Sequence, residues 1–557
     1  MDRRHFIKNS GFTLAGLIFS DPLIHAFNAG ADKDVLAYPD SINALINGKM
    51  YSLSGGDDQW NVENLNVFLD KNKTGIDIKI KCPGANLETV TLIWDIPQNE
   101  QTTILNDHLE RTYGDISWHK PTPAERLPWY FMEVNGFGSF GFGVATGAKT
   151  FCFWQIKEGQ LMLHLDTRNG TKGVELGSRE LEAARIVTVV GKEVENTFRT
   201  AQRFMSVMCP KARMPKKPVY GINDWYYTYG NNSETLIIEH TKLMSPLAAG
   251  LSNKPFSVID AGWFKTSPHH PEDRSWGESL TETNDKFGNM ASLADKIKEL
   301  GMRPGIWTRP LCGSSTDKKE SLLSRTSGNV PNMPVLDPSI PENLERIKTY
   351  FETYKKWGYE LIKFDYTTFD IFGKWGFQMK KDNRISDGDW NMNDKSRTNA
   401  EIILDMYLAI REASGDTIII GCNTFSHLSA GVFELYRIGD DTSGNEWERT
   451  LKMGVNTLAF RGIQHGTFYA ADADCVGLTT KIPWEKNKQW LELVASSGTP
   501  LFISAQPDAI GEEQKKAISE SFRLASKEMP VGEPLDWMDN NLPRKWKLNG
   551  AIVNFNW

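Results

Sequence analysis

The sequence predicts a multidomain fold, in which an antiparallel β-sandwich is followed by a (β/α)8 TIM barrel and a short or truncated C-terminal β-element. Three observations lead to this fold class. The chain of 557 residues is longer than one ordinary domain. Short segments of alternating apolar and polar residues fill its first part, which is typical of a sandwich. After a Pro- and Lys-rich linker at residues 209–221, apolar runs alternate with helix-like segments, which favours a barrel.

The predicted sandwich spans residues 35–205. Its strands are separated by turns of Gly, Asn and Asp, and every second residue is apolar, so one face of each strand is expected to be buried. The clearest strands are TGIDIKIKC, ETVTLIWDI, GSFGFGVATG, TFCFWQI, LMLHLDT and RIVTVVG.

The predicted barrel spans residues 210–510. Helices are expected at residues 233–244, 290–300, 341–357 and 399–414. The predicted strands lie in VYGINDW, FSVIDAGW, MRPGIW, YELIKFD, TIIIGCN, FELYRIGDD, GTFYAADADC and GTPLFISAQ. A doubly wound open sheet is the alternative, but no G-x-G-x-x-G segment follows a predicted strand. Residues 511–557 are expected to add a helix and a β stub.

The first 29 residues have the pattern of an export signal. The segment RRHFIK is followed by an apolar stretch at residues 11–19, which is too short to cross a bilayer. This layout resembles a bacterial twin-arginine signal and predicts export to the periplasm or the extracellular space. An ordinary amphipathic first helix is the alternative.

The overall composition narrows the expected partners. The net charge is −7 and the pI is about 5.9, so the chain lacks the basic balance that nucleic-acid binding favours. No later segment has the apolar length of a membrane span. The 18 tryptophans suit either a core or the apolar faces of sugar rings. We expect a carbohydrate partner, no nucleic acid and no membrane span, and leave oligomerisation open.

The cysteines are scattered singly and lack the C-x-x-C spacing of metal or redox sites. Most are expected to be buried thiols, although pairing stays open if the protein is exported.

Charged residues stand where two predicted barrel strands end. In YELIKFDYTTFD, Lys363 and Asp365 share one face because side chains alternate along a strand. In FELYRIGDD, the same parity places Arg437 and Asp441 together. Because barrel active sites lie at the carboxyl ends of the strands, both carboxylates are expected at one mouth. Paired carboxylates perform glycoside hydrolysis. Salt-bridged strand ends without chemistry are the alternative.

Other strand ends combine a carboxylate with a tryptophan. FSVIDAGWF supplies Asp260 and Trp263, YGINDWYY supplies Asp224 and Trp225, and RPGIWTRP supplies Trp307. Carboxylates accept hydrogen bonds from hydroxyl groups, and an indole packs on an apolar face, so the combination indicates a pyranose pocket. Packing in the core is the alternative for each tryptophan.

Taken in chain order, these motifs resemble those of the α-galactosidase clan. They are a tryptophan after strand one, IDxGW at strand two, GIW at three, KxD at four, xCN at five and RxxxD at six. The pattern is most similar to glycoside hydrolase family 36 (melibiase-like), to which family 27 is related. The resemblance covers residues 220–506. Family 36 members carry a β-sandwich ahead of the barrel. The resemblance implies a retaining enzyme that cleaves terminal α-D-galactosyl residues without a metal or other cofactor.

Carried over residue by residue, the resemblance implies that Asp365 is the nucleophile and Asp441 the general acid/base, ~5–5.5 Å apart. Lys363 and Arg437 would contact sugar hydroxyls and the carboxylates. These cations are expected to keep one acid ionised, while a drier niche keeps the other protonated. The other implied pocket residues are Trp225, Asp260, Trp307 and Cys422.

Three features depart from the family pattern. Ala261 occupies the place of a second aspartate, and Thr308, Arg309 and Pro310 stand where many members carry a glutamate. These two changes leave the sugar open, so an α-N-acetylgalactosaminide, a β-L-arabinopyranoside or transglycosylation are alternatives within the clan. The third departure is the C-terminal β-domain, which is only a stub ending at Trp557.

Two alternatives belong to other classes. A non-catalytic sugar-binding protein is disfavoured because a binder has no use for a paired acid and nucleophile. A metal-dependent hydrolase would use His269, His270, Asp472 and Asp474. The two histidines are adjacent in a Pro-rich loop, where they cannot easily share one metal ion.

Overall fold

The computed structural model describes residues 36–96, 101–267, 273–325, 333–379 and 385–557. The predicted export signal lies outside these ranges. The strands of the first domain are β1 (Ser41–Ile46), β2 (Lys49–Ser52), β3 (Ser54–Gly56), β4 (Gln59–Val62), β5 (Leu65–Asn72), β6 (Gly75–Lys81), β7 (Leu87–Asp95), β8 (Thr103–Asn106), β9 (Leu127–Pro128), β10 (Tyr130–Asn135), β11 (Gly138–Val144), β12 (Phe151–Lys157), β13 (Gln160–Asp166) and β14 (Leu181–Val190).

These strands form two antiparallel sheets that pack face to face. The six-stranded sheet has the order β2–β1–β7–β13–β12–β9, and the eight-stranded sheet the order β3–β4–β5–β6–β14–β11–β10–β8. Every second residue of β1 is buried, as the alternating sequence predicts. Aromatic rings fill the space between the sheets, where Trp154 lies 5.9 Å from Phe131 and 6.3 Å from Phe142. The predicted sandwich is confirmed.

Helix α1 (Thr197–Met208) packs against β11 and β14 of the eight-stranded sheet. Two glycines of β11 make room for it. A Cβ on Gly141 would lie 2.6 Å from Cδ1 of Phe204, and a Cβ on Gly143 would lie 2.6 Å from Sδ of Met208. Gly141 and Gly143 are therefore required by the close approach of a helix.

The strands of the second domain are β15 (Tyr220–Asn223), β16 (Phe256–Ile259), β17 (Phe264–Thr266), β18 (Gly277–Thr283), β19 (Arg303–Thr308), β20 (Leu361–Phe364), β21 (Ile418–Gly421), β22 (Leu435–Arg437), β23 (Ala470–Asp472), β24 (Cys475–Leu478) and β25 (Leu501–Ala505). Strands β17 and β18 pair with each other as an antiparallel hairpin. The others form one parallel sheet in the order β23–β22–β21–β20–β19–β16–β15–β25–β24.

One barrel strand is divided into two halves, β23 and β24. The interruption lies at Asp474, whose backbone is left-handed with φ 75°. The first half pairs with β22 and the second half pairs with β25. The divided strand therefore joins the two ends of the sheet and closes the barrel, which confirms the predicted fold class.

Helices surround the barrel between most of its strands. Those after α1 are α2 (Trp225–Thr228), α3 (Glu234–Met244), α4 (Met290–Glu299), α5 (Pro341–Lys356), α6 (Thr367–Phe372), α7 (Asn399–Ser414), α8 (Ser426–Ser429), α9 (Trp447–Thr450), α10 (Thr457–Arg461), α11 (Trp484–Ser496) and α12 (Glu512–Ala525). A π-helical segment, Leu451–Asn456, joins α9 to α10. Short 3₁₀ segments are Ser245–Ala248, Lys319–Ser321, Gly376–Met379, Gly462–Gln464 and Pro507–Ala509.

The four helices predicted from periodicity are α3, α4, α5 and α7, and each agrees within one residue at either end. Local capping explains this agreement. Ser233 accepts a hydrogen bond from the backbone N–H of Leu236, and Thr398 forms a capping box with Glu401. Pro341 stands in the first turn of α5, where its missing N–H costs nothing.

A separate apolar cluster fills the inside of the barrel. Its members are Val219, Tyr226, Phe256, Val258, Leu361, Ile420, Leu435, Ala470, Cys475 and Phe502. On β20, Leu361 belongs to this inner cluster, whereas Ile362 and Phe364 belong to the main core outside the sheet. This parity places Lys363 on the inner face, as predicted from the sequence.

The chain ends with α12 and a small sheet. The ring of Phe522 in α12 lies 5.3 Å from that of Tyr220, so this helix packs on the first barrel strand. The final sheet contains β26 (Glu533–Pro534), β27 (Lys545–Leu548) and β28 (Ala551–Asn554). It is the short β-element that the sequence predicts.

A segment of the first domain reaches the carboxyl end of the barrel. We call residues 107–115, which follow β8, the sandwich loop. The backbone N–H of Thr112 donates to the carbonyl of Ile438 at 2.9 Å, and the N–H of Asp440 donates to the carbonyl of Thr112 at 2.8 Å. Arg461, which is fully buried, pairs with Asp107 at 2.6 Å. The loop therefore extends the wall beside β22.

All the cysteines lie within the described ranges, where they are buried and unpaired, as the sequence predicts. Among the same residues, no helix combines the length and the apolar character needed to cross a bilayer.

Candidate active site

Asp365 directly follows β20 and is half-buried at the carboxyl end of the barrel. Its backbone N–H donates to the carbonyl of Thr308 at 3.0 Å. One carboxylate oxygen accepts from the backbone N–H of Tyr366 at 2.8 Å, and the other from the indole N–H of Trp307 at 3.4 Å. Tyr366 has a left-handed backbone with φ 65°, a conformation that bulky residues rarely adopt. One oxygen of Asp365 is thus oriented by the turn that follows β20, and the other by the neighbouring strand β19.

Lys363 lies two residues before Asp365, on the inward-facing side of β20, and is buried. Its Nζ donates to Oδ2 of Asp260 at 2.9 Å. Burial alone would lower the pKa of Lys363, but the Asp260 carboxylate raises that pKa well above its usual value. Lys363 therefore stays charged beneath the mouth of the barrel.

Asp260 is held by groups from two neighbouring strand ends. Oδ2 accepts from Nδ2 of Asn223 at 2.7 Å, and Oδ1 accepts from the backbone N–H of Ala261 at 2.8 Å. The backbone N–H of Asp260 donates to Oδ1 of Asp224 at 2.7 Å. Burial and the nearby charge of Asp260 raise the pKa of Asp224 to about 7. Asp224, which the sequence placed at the end of the first barrel strand, supports Asp260.

Asp441 follows β22, and its side chain is 38% exposed. One of its oxygens accepts from Nη2 of Arg437 at 2.9 Å. Burial by itself raises the pKa of Asp441, but the guanidinium groups of Arg437 and Arg111 outweigh this effect and lower the pKa below its usual value. The expected dry niche that keeps one acid protonated is therefore not found around Asp441, because cations surround it.

Arg437 is buried and shared between two carboxylates. Nη2 lies 2.5 Å from Oδ2 of Asp474 and also donates to the hydroxyl oxygen of Tyr226 at 3.2 Å. Asp474 in turn accepts from the backbone N–H and the hydroxyl of Thr442, at 2.7 and 2.8 Å. This network fixes the guanidinium that contacts Asp441. Sequence analysis did not predict this network, because Tyr226 lies in α2 and Asp474 lies between β23 and β24, far apart in the chain.

Asp472 and Asp474 belong to the arginine network rather than to a metal site. The backbone N–H of Asp474 donates to Oδ1 of Asp472 at 3.0 Å. Within the described residues, no group of three or more His, Cys, Asp and Glu side chains is placed to hold a metal ion. His269 and His270, the other candidate ligands, lie outside the described ranges.

Cys422 is buried at the end of β21, where its backbone N–H donates to the carbonyl of Phe364 at 2.9 Å. Burial and the charge of Asp365 raise the pKa of the Cys422 thiol well above its usual value, although Lys363 and Arg437 lower it in part. The thiol is therefore a neutral small group among the charges of strands four, five and six.

The three predicted tryptophans differ in what they contact. Trp225 is half-buried, and its ring lies 5.7 Å from that of Tyr229. Trp307 is only 2% exposed, but its indole N–H points to Asp365. Trp263 has no exposed surface, so it cannot contact a sugar from its present position. Its indole N–H donates to the carbonyl of Trp307 at 2.9 Å, so it supports the pocket wall from behind.

The two carboxylates lie at the same end of the barrel. Burial raises the pKa of Tyr366 to about 12, and the charges of Asp365 and Asp441 both contribute to this rise. The charge of Asp365 also contributes to the raised pKa of Lys363, and the charge of Lys363 contributes to the lowered pKa of Asp441. Two partly exposed acids are thus near one tyrosine and one lysine, an arrangement that suits chemistry at a single sugar carbon.

The sandwich loop adds an arginine that sequence motifs did not reveal. Nη2 of Arg111 lies 2.8 Å from Oδ1 of Asp440, and Arg449 holds the other oxygen at 2.8 Å. Asp440 is thereby turned towards the sandwich, while its neighbour Asp441 faces Arg437. No local signal marks Arg111, because its partner lies in the other domain.

Solved structures with a similar fold are α-galactosidases. TtGalA from Thermus thermophilus, in complex with p-nitrophenyl α-D-galactopyranoside, matches with a TM-score of 0.59 and 15% identity over 92% of this chain and 99% of that chain. A variant of the family 36 α-galactosidase AgaA from Geobacillus stearothermophilus, in complex with 1-deoxygalactonojirimycin, matches with a TM-score of 0.60 and 14% identity over 90% and 73%. The galactosidase domain of AgaSK matches with a TM-score of 0.58 and 13% identity over 88% of this chain and 76% of that chain.

The chain has the fold of the family 36 α-galactosidases. This confirms the predicted resemblance at the level of fold, which is all that identities of this size show. No protein-family model matches the sequence.

Within the family 36 fold, the departure after strand three has a structural explanation. Arg309 is buried and pairs with the buried Asp370 at 2.6 Å. Its guanidinium lies 3.8 Å from the ring centroid of Tyr366 and 4.5 Å from that of Trp276. Arg309 is therefore enclosed and supports the tyrosine next to Asp365, instead of offering a group to a ligand.

Proposed function

We propose that this protein is a retaining glycoside hydrolase that cleaves terminal α-D-galactosyl residues from oligosaccharides or polysaccharides. The observation that carries the proposal is that Asp365 and Asp441 follow β20 and β22 at the carboxyl end of the barrel, with both side chains partly exposed. The family 36 fold supports the choice of sugar.

In the proposed double displacement, Asp365 is the nucleophile, and Asp441 acts first as the general acid and then as the general base. A carboxylate oxygen of Asp365 attacks the anomeric carbon while Asp441 gives a proton to the departing glycosidic oxygen, which leaves a galactosyl ester on Asp365. Asp441 then takes a proton from water, and the resulting hydroxide oxygen displaces Asp365. Two inversions restore the original anomeric configuration.

Lys363, Asp260 and Arg437 are proposed to hold the hydroxyl groups of the galactosyl ring. Lys363 is paired with Asp260, and Arg437 is paired with Asp474, so these groups present fixed donors and acceptors at the base of the pocket. Trp225 and Trp307 are proposed to line the ring, while Cys422, which is fully buried, is proposed to support the wall behind it as a small neutral group. Trp263 is excluded from direct contact because it is fully buried.

A panel of p-nitrophenyl glycosides tests the proposal. We expect release of p-nitrophenol from the α-galactoside, with and without a chelator, and slower release from the α-N-acetylgalactosaminide and the β-L-arabinopyranoside. Asp365→Asn should lower kcat by several orders of magnitude because the nucleophile is lost, while the thermal unfolding curve stays that of the wild type. If the protein hydrolyses another glycoside of the panel faster, the sugar of that glycoside, and not galactose, is the one the enzyme recognises. Wild-type turnover by Asp365→Asn, or saturable sugar binding without any turnover, would contradict the mechanism.

A further inference from the structure

A row of aromatic side chains leads from Asp365 towards the outer surface. We call Tyr366, Trp375, Tyr113 and Phe377 the aromatic strip. The ring of Tyr366 lies 5.7 Å from that of Trp375, and the ring of Tyr113 lies 4.7 Å from that of Phe377. Tyr366, Trp375 and Tyr113 are half-buried, whereas Phe377 is 45% exposed. The strip therefore becomes more exposed with distance from the candidate nucleophile.

A guanidinium joins the two halves of the strip. Arg111 lies 5.2 Å from the ring centroid of Trp375 and 5.9 Å from that of Tyr113. Its partner Asp440 is the chain neighbour of Asp441. The strip thus passes on the side of the acid that is proposed to protonate the leaving oxygen, and this is the side where the leaving group must lie.

The strip is held in place by a buried carboxylate between the two domains. Glu110 accepts a hydrogen bond from the backbone N–H of Gly376 at 2.7 Å, and it also accepts from the hydroxyl of Tyr113 and the amide of Asn423. A Cβ at Gly376 would lie 2.3 Å from Cγ of Glu110. The turn that carries Trp375 and Phe377 is therefore locked against the sandwich loop, so the strip is a preformed surface.

The composition of the strip suits sugar rings better than a protein or a lipid. Charged groups accompany its aromatic rings at Arg111 and Asp440. A pyranose offers apolar C–H faces for aromatic rings and hydroxyl groups for adjacent charges. Singly exposed aromatics are common on surfaces, but here the exposed ring continues a row that begins beside the candidate nucleophile.

We propose that the aromatic strip binds the sugar units on the leaving-group side of the scissile bond, so that α-galactosyl oligosaccharides with two or more further units are preferred. This inference rests on the proposed function and names its substrate class. Tyr366 and Trp375 would contact the first unit beyond the galactose, and Tyr113 and Phe377 the next.

The test compares substrates of increasing length, with one, two and three units beyond the terminal galactose, as in melibiose, raffinose and stachyose. For the wild type, kcat/KM should rise from the first to the third. Phe377→Ala should lower the ratio of kcat/KM for stachyose to that for p-nitrophenyl α-galactoside about three- to tenfold, the size of one aromatic contact. Phe377→Trp should preserve the ratio. Phe137→Ala is the matched control, because Phe137 is 53% exposed in a sandwich turn.

A length-independent kcat/KM, together with an unchanged ratio in Phe377→Ala, would overturn the inference while the proposed function stands. If no α-galactoside is hydrolysed, the proposed function fails. A measurement of sugar binding then tests the role of the aromatic strip by itself. Calorimetry on the Asp365→Asn protein should then show stachyose binding that is weakened by adding Phe377→Ala and not by adding Phe137→Ala. Equal affinity of all three proteins for stachyose, or no binding at all, would contradict the proposal that the aromatic strip binds sugar units.

Discussion

Charged side chains inside the barrel mouth occur in pairs, and this decides which residues are useful to mutate. Lys363 is buried against Asp260, and Arg437 is buried against Asp474. Removing one member of a buried pair leaves the other charge without compensation and costs about 3–5 kcal/mol of stability. Variants at these positions therefore mix folding effects with catalytic ones. The partly exposed Asp441 offers a cleaner test.

At Asp441, the expected effect of Asp441→Asn depends on the leaving group. A p-nitrophenolate leaves without much help from a proton, whereas a sugar alkoxide needs one. The loss of kcat/KM should therefore be about 10²–10⁴-fold on melibiose and markedly smaller on the p-nitrophenyl substrate. Rates on both substrates and a thermal unfolding curve provide the measurement. Equal losses on both would assign proton donation to another residue.

The pH dependence of the reaction follows from the same residue. Asp441 must be protonated to donate, and its pKa is lowered by Arg437 and Arg111, so its active form becomes scarcer as pH rises. We expect kcat/KM to have an acidic optimum and to fall about tenfold per pH unit on the alkaline side.

Arg111→Gln tests the cause of this dependence. Removing a cation near Asp441 raises the pKa of the carboxyl group, so the falling limb of the pH profile should move to higher pH. Arg544→Gln, at an exposed position in the C-terminal segment, is the control and should leave the limb in place. A limb that stays fixed in Arg111→Gln would show that another group titrates.

At the scale of elements, the divided strand explains how Arg437 is held. The left-handed residue Asp474 separates β23 from β24, which pair with opposite neighbours. At this break, the side chain of Asp474 meets Arg437 and Thr442. A continuous strand would alternate side chains regularly, so the irregular backbone is what brings a third carboxylate into the network.

The turn at Gly376 is the element on which the contact between the domains depends. Gly376→Ala should destabilise the protein by about 1–3 kcal/mol, because its Cβ would overlap Glu110 and force the turn away from the sandwich loop. Chemical denaturation measures the change. Gly56→Ala is the matched control, since a Cβ there meets nothing within 4 Å. Equal stabilities of the two variants would show that the turn moves freely.

At the scale of the whole molecule, the sandwich completes the mouth of the barrel. Arg111 and Tyr113 come from the first domain and stand beside Asp440 and Trp375 of the second. The two domains are also joined at the first turn of α7, where Arg179 forms paired hydrogen bonds with Glu401 at 3.0 and 2.7 Å. The site is therefore a property of both domains together.

Export is a prediction about the whole chain, and it concerns residues outside the described ranges. A reporter protein fused behind residues 1–29 should appear in the periplasm of a bacterial host. The double change Arg3→Lys and Arg4→Lys should retain it in the cytoplasm, because the arginine pair is the recognised feature of a twin-arginine signal. Changing Lys8→Arg instead is the control and should not block transport. Transport that persists without the arginine pair would contradict this type of signal.

Local sequence rules predicted the regular elements well. The alternation in β1, the caps of α3 and α7 and the inward parity of Lys363 each depend on residues a few positions apart, so they are readable from the chain. The direction of the strands placed Asp365 and Asp441 at one end of the barrel, since each acid follows a parallel strand. Burial at the pocket was less readable, and Trp263 proved to lie behind the wall because the next layer of helices covers it.

The sequence by itself therefore determined the two-domain architecture, the strand ends and the residue types offered there, because periodicity and capping act over short distances. Only the tertiary structure decided that Arg111 stands beside Asp440, that Asp474 holds Arg437 and that an aromatic strip leaves the mouth. These contacts join residues from different elements, and some of these residues are hundreds of positions apart in the chain. Their energies depend on distance and burial in the folded chain, which no local pattern encodes.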